Sequence, residues 1–312
     1  MVTATPRSRG LRRATGLLVA LCLAVTGCSA LGPERSGVVV TTNILGDITR
    51  TIVGDQAEVT VLMKPGADPH SFGVSAQQAA RIENAALLVH NGLGLEEGVA
   101  RNIKAARDQG VPALAVGEGT DPITYTEGRT ARQHDPHFWT DPVRVAKAID
   151  LITTRVTEHV DGVDAAQVRA NAARYRTQVT ALDTRMRREF AEIPPERRKL
   201  VTNHHVFGYL ARRYGFEVIG AVIPSGTTLA SPSGSDLKSL ADAVRKAGVP
   251  AVFADSSQPD RLAQVMAHEA GLRIDIVPLY SESLTGPDGG APTYLRMMRA
   301  NTDAISAGLA TG

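Results

Sequence analysis

The sequence predicts an α/β protein of two lobes, each a mostly parallel sheet flanked by helices, joined by one long rigid helix. Three features carry that expectation. β-Branched strands alternate with amphipathic helices over 38–163, an unbroken helical stripe fills 164–191, and the alternation resumes over 192–312. Short strands separated by helix-length segments imply βαβ units, whose right-handed crossovers lay the strands parallel.

Val38-Val39-Val40-Thr41-Thr42 opens the first lobe as a β-branched strand. A helix over 44–53, a strand over 58–63 and a Pro/Gly/Asp loop over 64–70 follow. Helix 75–84, strand 87–90, helix 95–109 and strand 113–116 continue the alternation, and 121–133 is polar and irregular. Asp141-Pro142 starts another helix, because Asp caps free N–H groups and Pro lacks only a hydrogen that would be unpaired there. Val143, Ala146, Ile149, Ile152, Val156 and Val160 recur three or four residues apart, the period of one helix face. Past Asp161-Gly162, a second stripe runs through Val168, Ala172, Tyr175, Val179, Leu182, Met186 and Phe190 to Pro194-Pro195. About 27 residues without Pro or Gly make a rod of ~40 Å, long enough to cross between lobes. Strands over 200–202, 217–223, 251–254 and 274–278 then alternate with helices over 205–214, 236–247, 261–270 and 293–309.

Of the 312 residues, 43% are hydrophobic and 21% charged, a globular composition. Residues 1–27 hold four Arg and no acid, so the remainder carries 30 basic against 32 acidic residues, a net charge of −2. That balance gives no general electrostatic case for nucleic acid. The nine apolar residues of 17–25 span only ~14 Å as a helix, against ~30 Å of hydrocarbon, which fits a secretory signal and not a membrane span. Val25-Thr26-Gly27-Cys28 resembles the bacterial lipobox. The resemblance implies cleavage before Cys28 and lipidation of its thiol, with 1–27 as signal peptide and 28–37 as a tether. Cys22 leaves with the signal, so the mature chain has no disulfide.

Three of the eight His sit just beyond predicted strands or between elements: His70 in Asp68-Pro69-His70, His137 in Asp135-Pro136-His137, and His204 after strand 200–202. Ligands of open α/β sheets bind beyond the carboxyl ends of the strands, and a preceding Pro fixes the backbone at two of the three. Glu282 follows the last strand. Three imidazoles and a carboxylate are a competent Zn²⁺ set. His205 adjoins His204 at an expected helix start, where neighbours point ~100° apart. His90 is expected to be structural and His159 to face solvent. Asp255 is expected to support the cleft. His268-Glu269 begins a zinc-protease pattern that Leu272 breaks, and Gly92-Leu93-Gly94 lacks the third Gly of a dinucleotide loop.

Several motifs fall in one order along the chain: Asp68-Pro69-His70, Asn91-Gly92-Leu93-Gly94-Leu95-Glu96, Asp135-Pro136-His137-Phe138-Trp139-Thr140-Asp141-Pro142, Asn203-His204-His205-Val206-Phe207-Gly208-Tyr209-Leu210, Phe253-Ala254-Asp255-Ser256-Ser257 and Leu279-Tyr280-Ser281-Glu282-Ser283-Leu284. In this the sequence resembles the solute-binding lipoproteins of metal-ion ABC importers, the zinc and manganese class, and most nearly their zinc-binding branch. The resemblance runs from about 38 to 309. It implies two α/β lobes joined by a long helix, with the metal in the cleft, and His70, His137, His204 and Glu282 as ligands. His204 stands where manganese-binding members carry Glu, and Glu282 where Asp is usual.

The implied function is capture of Zn²⁺ as transported ligand and its delivery to an ABC permease with its ATPase. The implied form is a monomer held on the extracytoplasmic face of the membrane by lipid on Cys28, with a metallochaperone as a further candidate partner. The alternatives are Mn²⁺ or Fe²⁺ binding in the same class, a surface adhesin of the same fold, and, in a different class, a secreted zinc hydrolase. No motif for a hydrolytic base is present.

Overall fold

A computed structural model of the protein describes residues 1–3, 35–125, 131–257, 260–269, 271 and 274–310. Cys28, residues 4–27 of the leader and residues 29–34 of the tether lie outside the described residues. Among the described residues, no helix is long and apolar enough to cross a membrane.

The first sheet contains β1 (Ser36–Val40), β2 (Val59–Val61), β3 (Ala85–His90) and β4 (Ala113–Ala115), all parallel, in the order β2-β1-β3-β4. Helices α1 (Asn43–Val53), α2 (Ala76–Glu83) and α3 (Ala100–Asp108) connect them. β1 ends at Val40, earlier than its β-branched run, because Thr42 leaves the sheet to cap α1 and accepts from the Leu45 N–H. Ser75 caps α2 in a capping box with Gln78. The helix expected over 95–109 is split. A 3₁₀ turn occupies Glu97–Val99 and α3 begins at Ala100, because the Glu96 side chain folds back onto the Asn91 and Gly92 N–H groups.

α4 (Pro142–His159) is capped by Asp141 as the sequence suggests. Its buried face differs from the expected stripe. Val145, Ala148, Ile149, Ile152 and Val156 are buried, whereas Val143 is exposed and Ala146 half-buried. Val143 lies in the first turn of the helix and is 38% exposed. α5 (Ala165–Ala191) is the long rod, and every residue of its expected stripe is buried.

The second sheet contains β5 (Lys199–Thr202), β6 (Glu217–Ala221), β7 (Ala251–Asp255) and β8 (Asp275–Leu279), also parallel, in the order β6-β5-β7-β8. The two sheets thus share one topology without a shared sequence repeat. Pro278 is tolerated because β8 is a sheet edge. The flanking helices are α6 (Gly208–Tyr214), α7 (Gly234–Ala247), α8 (Arg261–Glu269) and α9 (Tyr294–Ala310). α6 starts three residues later than expected. Instead, 203–207 forms a turn in which the Thr202 hydroxyl donates to the His204 carbonyl at 2.6 Å.

α5 fastens both lobes. Near its start, the Asn171 amide donates to the Ile52 carbonyl in the first lobe at 3.0 Å. Near its end, Phe190 meets Tyr214 and Phe216 of the second lobe edge-on, with ring centroids 5.2 and 5.0 Å apart. One apolar cluster runs from Val38 and Val40 of β1 through the α5 stripe to Phe253 of β7 and Leu279 of β8. Two smaller clusters cover the outer faces of the sheets. Strands buried on both faces explain the near-continuous apolar runs of the sequence.

Candidate metal centre

Loops at the carboxyl ends of β2, β4, β5 and β8 deliver His70, His137, His204 and Glu282 to one point. Their potential ligand atoms all lie within 4.8 Å of one another. The four side chains are at most 1% exposed. His137 Nε2 and His204 Nε2 stand 3.2 and 3.1 Å from Glu282 Oε1, and His70 Nε2 stands 3.7 Å from Glu282 Oε2. His70 Nε2 and His137 Nε2 are 3.4 Å apart. Three ring nitrogens converging on a carboxylate in a buried interior form a donor set in which the deprotonated imidazoles would supply borderline nitrogen ligands and Glu282 the compensating charge.

The two Asp-Pro-His segments are built alike. In each, the Asp Oδ1 accepts the backbone N–H of the His two residues later, at 2.9 Å for both Asp68 and Asp135. This short loop, stiffened by the intervening Pro, sets the position of the imidazole. Beyond that the two differ. Asp135 Oδ1 also reaches His137 Nδ1 at 2.7 Å, and the Tyr125 hydroxyl lies 3.2 Å from both. His70 Nδ1 and His204 Nδ1 are buried with no hydrogen-bond partner among the described residues.

The Asn91–Glu96 motif belongs to this support. The buried Glu96 carboxylate accepts from the Thr41 hydroxyl at 2.7 Å and from the Asn91 and Gly92 N–H groups at 2.6 and 3.1 Å. The Asn91 amide in turn donates to the Pro136 carbonyl, just before His137, at 3.0 Å. Gly92 has a positive φ of 77° and meets Ala115 closely, so only Gly suits that turn.

Glu282 follows a second-lobe strand but is clamped from the first lobe. Trp139 Nε1 donates to the Ser281 carbonyl at 2.8 Å, and Asn43 holds both the Ser283 hydroxyl (2.7 Å) and the Leu284 N–H (2.9 Å). Asp255 lies outside the cluster of four. Its carboxylate accepts from the Ser257 N–H at 2.6 Å and from the Ser281 hydroxyl, so it braces the Glu282 segment from behind.

The charges follow from burial and partners. Burial pushes His70 down to about 4, outweighing the attraction of Glu282. Burial also opposes charge on His137, but the Glu282 and Asp135 carboxylates more than offset it and hold the ring up at about 10. Glu282, despite a burial that by itself raises it, is held well below the usual carboxylate range by His137 and His204. Asp255 is pushed up by burial and by the nearby Glu282 charge.

The remaining His stand apart. His205 is half-buried, in a turn and not on a helix, with its ring 6.3 Å from that of Tyr125. His134 and His268 are exposed. His90 is buried and pushed down to about 4 by burial and Arg107. His159, expected to face solvent, is half-buried beside Glu158. Sequence reasoning did not find Tyr125, Trp139 or Asn43 as supports. The recurrence of Asp-Pro-His was the available signal for the Asp68 and Asp135 carboxylates.

The profile of the ZnuA family, zinc-uptake complex component A periplasmic, matches residues 38–308. The chain belongs to this family. The iron-binding protein YfeA of Yersinia pestis is 31% identical over 275 residues, 88% of this chain and 86% of its own. The manganese ABC transporter substrate-binding lipoprotein scaA of Streptococcus gordonii is 29% identical over 310 residues, 94% of this chain and 98% of its own. The solved structure of the periplasmic zinc-binding protein TroA from Treponema pallidum matches with a TM-score of 0.81 at 28% identity, covering 88% of this chain and 99% of that one.

As a ZnuA-family member, the protein is the divalent-metal-binding component of an ABC importer, with a permease and its ATPase as partners, and is not an enzyme. The secreted zinc hydrolase is thereby excluded. The relatives are named for three different metals, so family membership is coarser than the zinc branch read from the sequence.

Proposed function

We propose that this importer component carries Zn²⁺, bound by His70, His137, His204 and Glu282, and works as a monomer anchored by lipid on Cys28. In this reading 38–163 and 192–312 are the lobes and 164–191 the link. The observation that carries it is the donor count: three imidazole nitrogens face a single carboxylate inside a buried cluster. Zn²⁺ favours four-coordinate nitrogen-rich sites, whereas Mn²⁺ favours more oxygen. One observation supports a second reading. Glu282 Oε2 is buried without a hydrogen-bond partner among the described residues. A bidentate carboxylate would add a second oxygen and bring the set nearer to one for Mn²⁺ or Fe²⁺.

Competition titration with elemental analysis separates the two. The expected outcome is one Zn²⁺ per chain that Mn²⁺ in excess does not displace; preferential retention of Mn²⁺ or Fe²⁺ would overturn the zinc assignment. The anchor has its own test. Cys28→Ser in the full-length protein should move it from the membrane fraction to the soluble fraction with zinc binding intact. Persistence in the membrane fraction would show that Cys28 is not the anchor.

A further inference from the structure

The four clustered side chains are so buried that an ion among them has no way out unless something moves. The segment best placed to move is the second-lobe loop 223–229, after β6. The Asn203 carbonyl accepts its Ile223 N–H at 2.7 Å, and its Ser225 carbonyl accepts the His205 N–H at 2.9 Å, so the loop is tied on both sides of His204. Gly226 lies against Tyr125, so closely that a Cβ there would come within 2.5 Å of the phenol oxygen. Tyr125 is the residue that touches His137 Nδ1 and Asp135. Two residues on, the Thr228 hydroxyl donates to Asp68 Oδ2 at 2.6 Å. Asp68 is the carboxylate whose other oxygen holds the His70 N–H. One short loop of the second lobe thus meets the supports of all three His.

The loop has space on both sides. A cavity of about 250 Å³, lined by His70, Glu97, His134, Gly226 and Thr227, opens on one face. A second of about 350 Å³, lined by Asn203, Val222, Thr228, Pro232 and Asp255, lies behind it. Leu229 is 51% exposed. A segment held by a few hydrogen bonds between two cavities opens at a low free-energy cost compared with the packed sheets.

We propose that Thr228 is a positioning residue for release of the ion: its hydrogen bond to Asp68 keeps loop 223–229 down over His70, and breaking that bond opens the way out through the 250 Å³ cavity. The inference rests on the metal-carrier reading and not on the choice of zinc. Thr228 does not touch the clustered atoms themselves, so its loss should raise the dissociation rate and leave the donor set in place. A hydrogen bond to a charged acceptor is worth enough to change that rate about tenfold.

The test measures metal dissociation into excess chelator by stopped flow, with Zn²⁺ and with Mn²⁺, for wild type, Thr228→Val and Thr228→Ser. Hydrogen exchange of the 223–229 amides is followed in parallel. The expected result is about tenfold faster release from Thr228→Val, faster exchange confined to that loop, and wild-type behaviour in Thr228→Ser, which restores the hydroxyl. Release from Thr228→Val at the wild-type rate, or a serine variant as fast as the valine one, would overturn the latch. If wild type holds Mn²⁺ and not Zn²⁺, the zinc reading fails while the Mn²⁺ rates still decide the role of Thr228.

Discussion

The segments 68–70 and 135–137 have the same three residues and the same Asp-to-backbone hydrogen bond, yet their imidazoles are charged differently. His70 Nδ1 has no hydrogen-bond partner among the described residues, and the ring is pushed down by burial to about 4. His137 is equally buried, but Asp135 curls far enough to bond the ring as well as the backbone, and with Glu282 it holds the proton up to about 10. A local motif therefore fixes where an imidazole sits, while the reach of one carboxylate decides what it carries. In the metal-free protein, His137 and Glu282 form a buried ion pair that an arriving dication must replace by expelling the proton.

The largest expected effect comes from removing the ring. His137→Ala deletes one candidate donor and leaves Glu282 buried without its main counter-charge, so zinc affinity should fall by about a thousandfold or more. His70→Ala should cost less, because His70 contributes no charge to the metal-free pair. Isothermal titration of the two variants checks the order, and equal losses would break the proposed asymmetry.

The next effect is on the carboxylates. Asp135→Asn keeps the shape but weakens the hold on the ring, and loss of such a second contact typically costs 10–100-fold in metal affinity. Asp68 accepts from the His70 N–H and from the Ser71 and Thr228 hydroxyls, so Asp68→Asn should cost no more than about tenfold. Both are read from the same competition assay.

The smallest effect is the most specific to the comparison. The folded-state value of His137 is raised, so its proton is retained until pH approaches about 10. Zinc affinity should therefore climb about tenfold per pH unit from pH 7 to 9, with close to one proton released per ion, as calorimetry in buffers of different ionisation enthalpy would show. His70, already neutral above about 4, adds nothing in that window. Stability of the metal-free protein runs the other way. The gain from the protonated pair is complete below pH 6.5 and is lost as pH rises towards 10. Asp135→Asn should flatten the affinity slope.

The sequence revealed the framework because its signals are local. The α5 stripe, the Asp141-Pro142 start and the β-branched strands each follow from a periodicity or a cap within a few residues. The stripe on α4 was misread at Val143 and Ala146 because helix period alone does not say which neighbouring positions a second element covers. The four clustered residues were legible only through distant motifs in a fixed order, since no spacing links His70 to Glu282. Their supports were less so. Nothing near Trp139 in sequence shows that its indole N–H ends on the Ser281 carbonyl, and nothing near Thr228 indicates Asp68, 160 positions earlier. Such contacts are made by tertiary folding and leave no local trace.

The continuous apolar cluster from β1 through α5 to β8 also determines how the protein comes apart. Had each sheet owned a separate interior, the halves could melt one after the other, and a ligand between them would protect mainly their junction. With most of the interior held in common, neither half retains a complete core without the other, so denaturation is expected as one calorimetric transition, and two resolved transitions would show that the halves melt separately. An ion bound only by the folded chain then raises the free energy of that one event by its whole binding term, and the cargo acts as a stabiliser of every element in both halves.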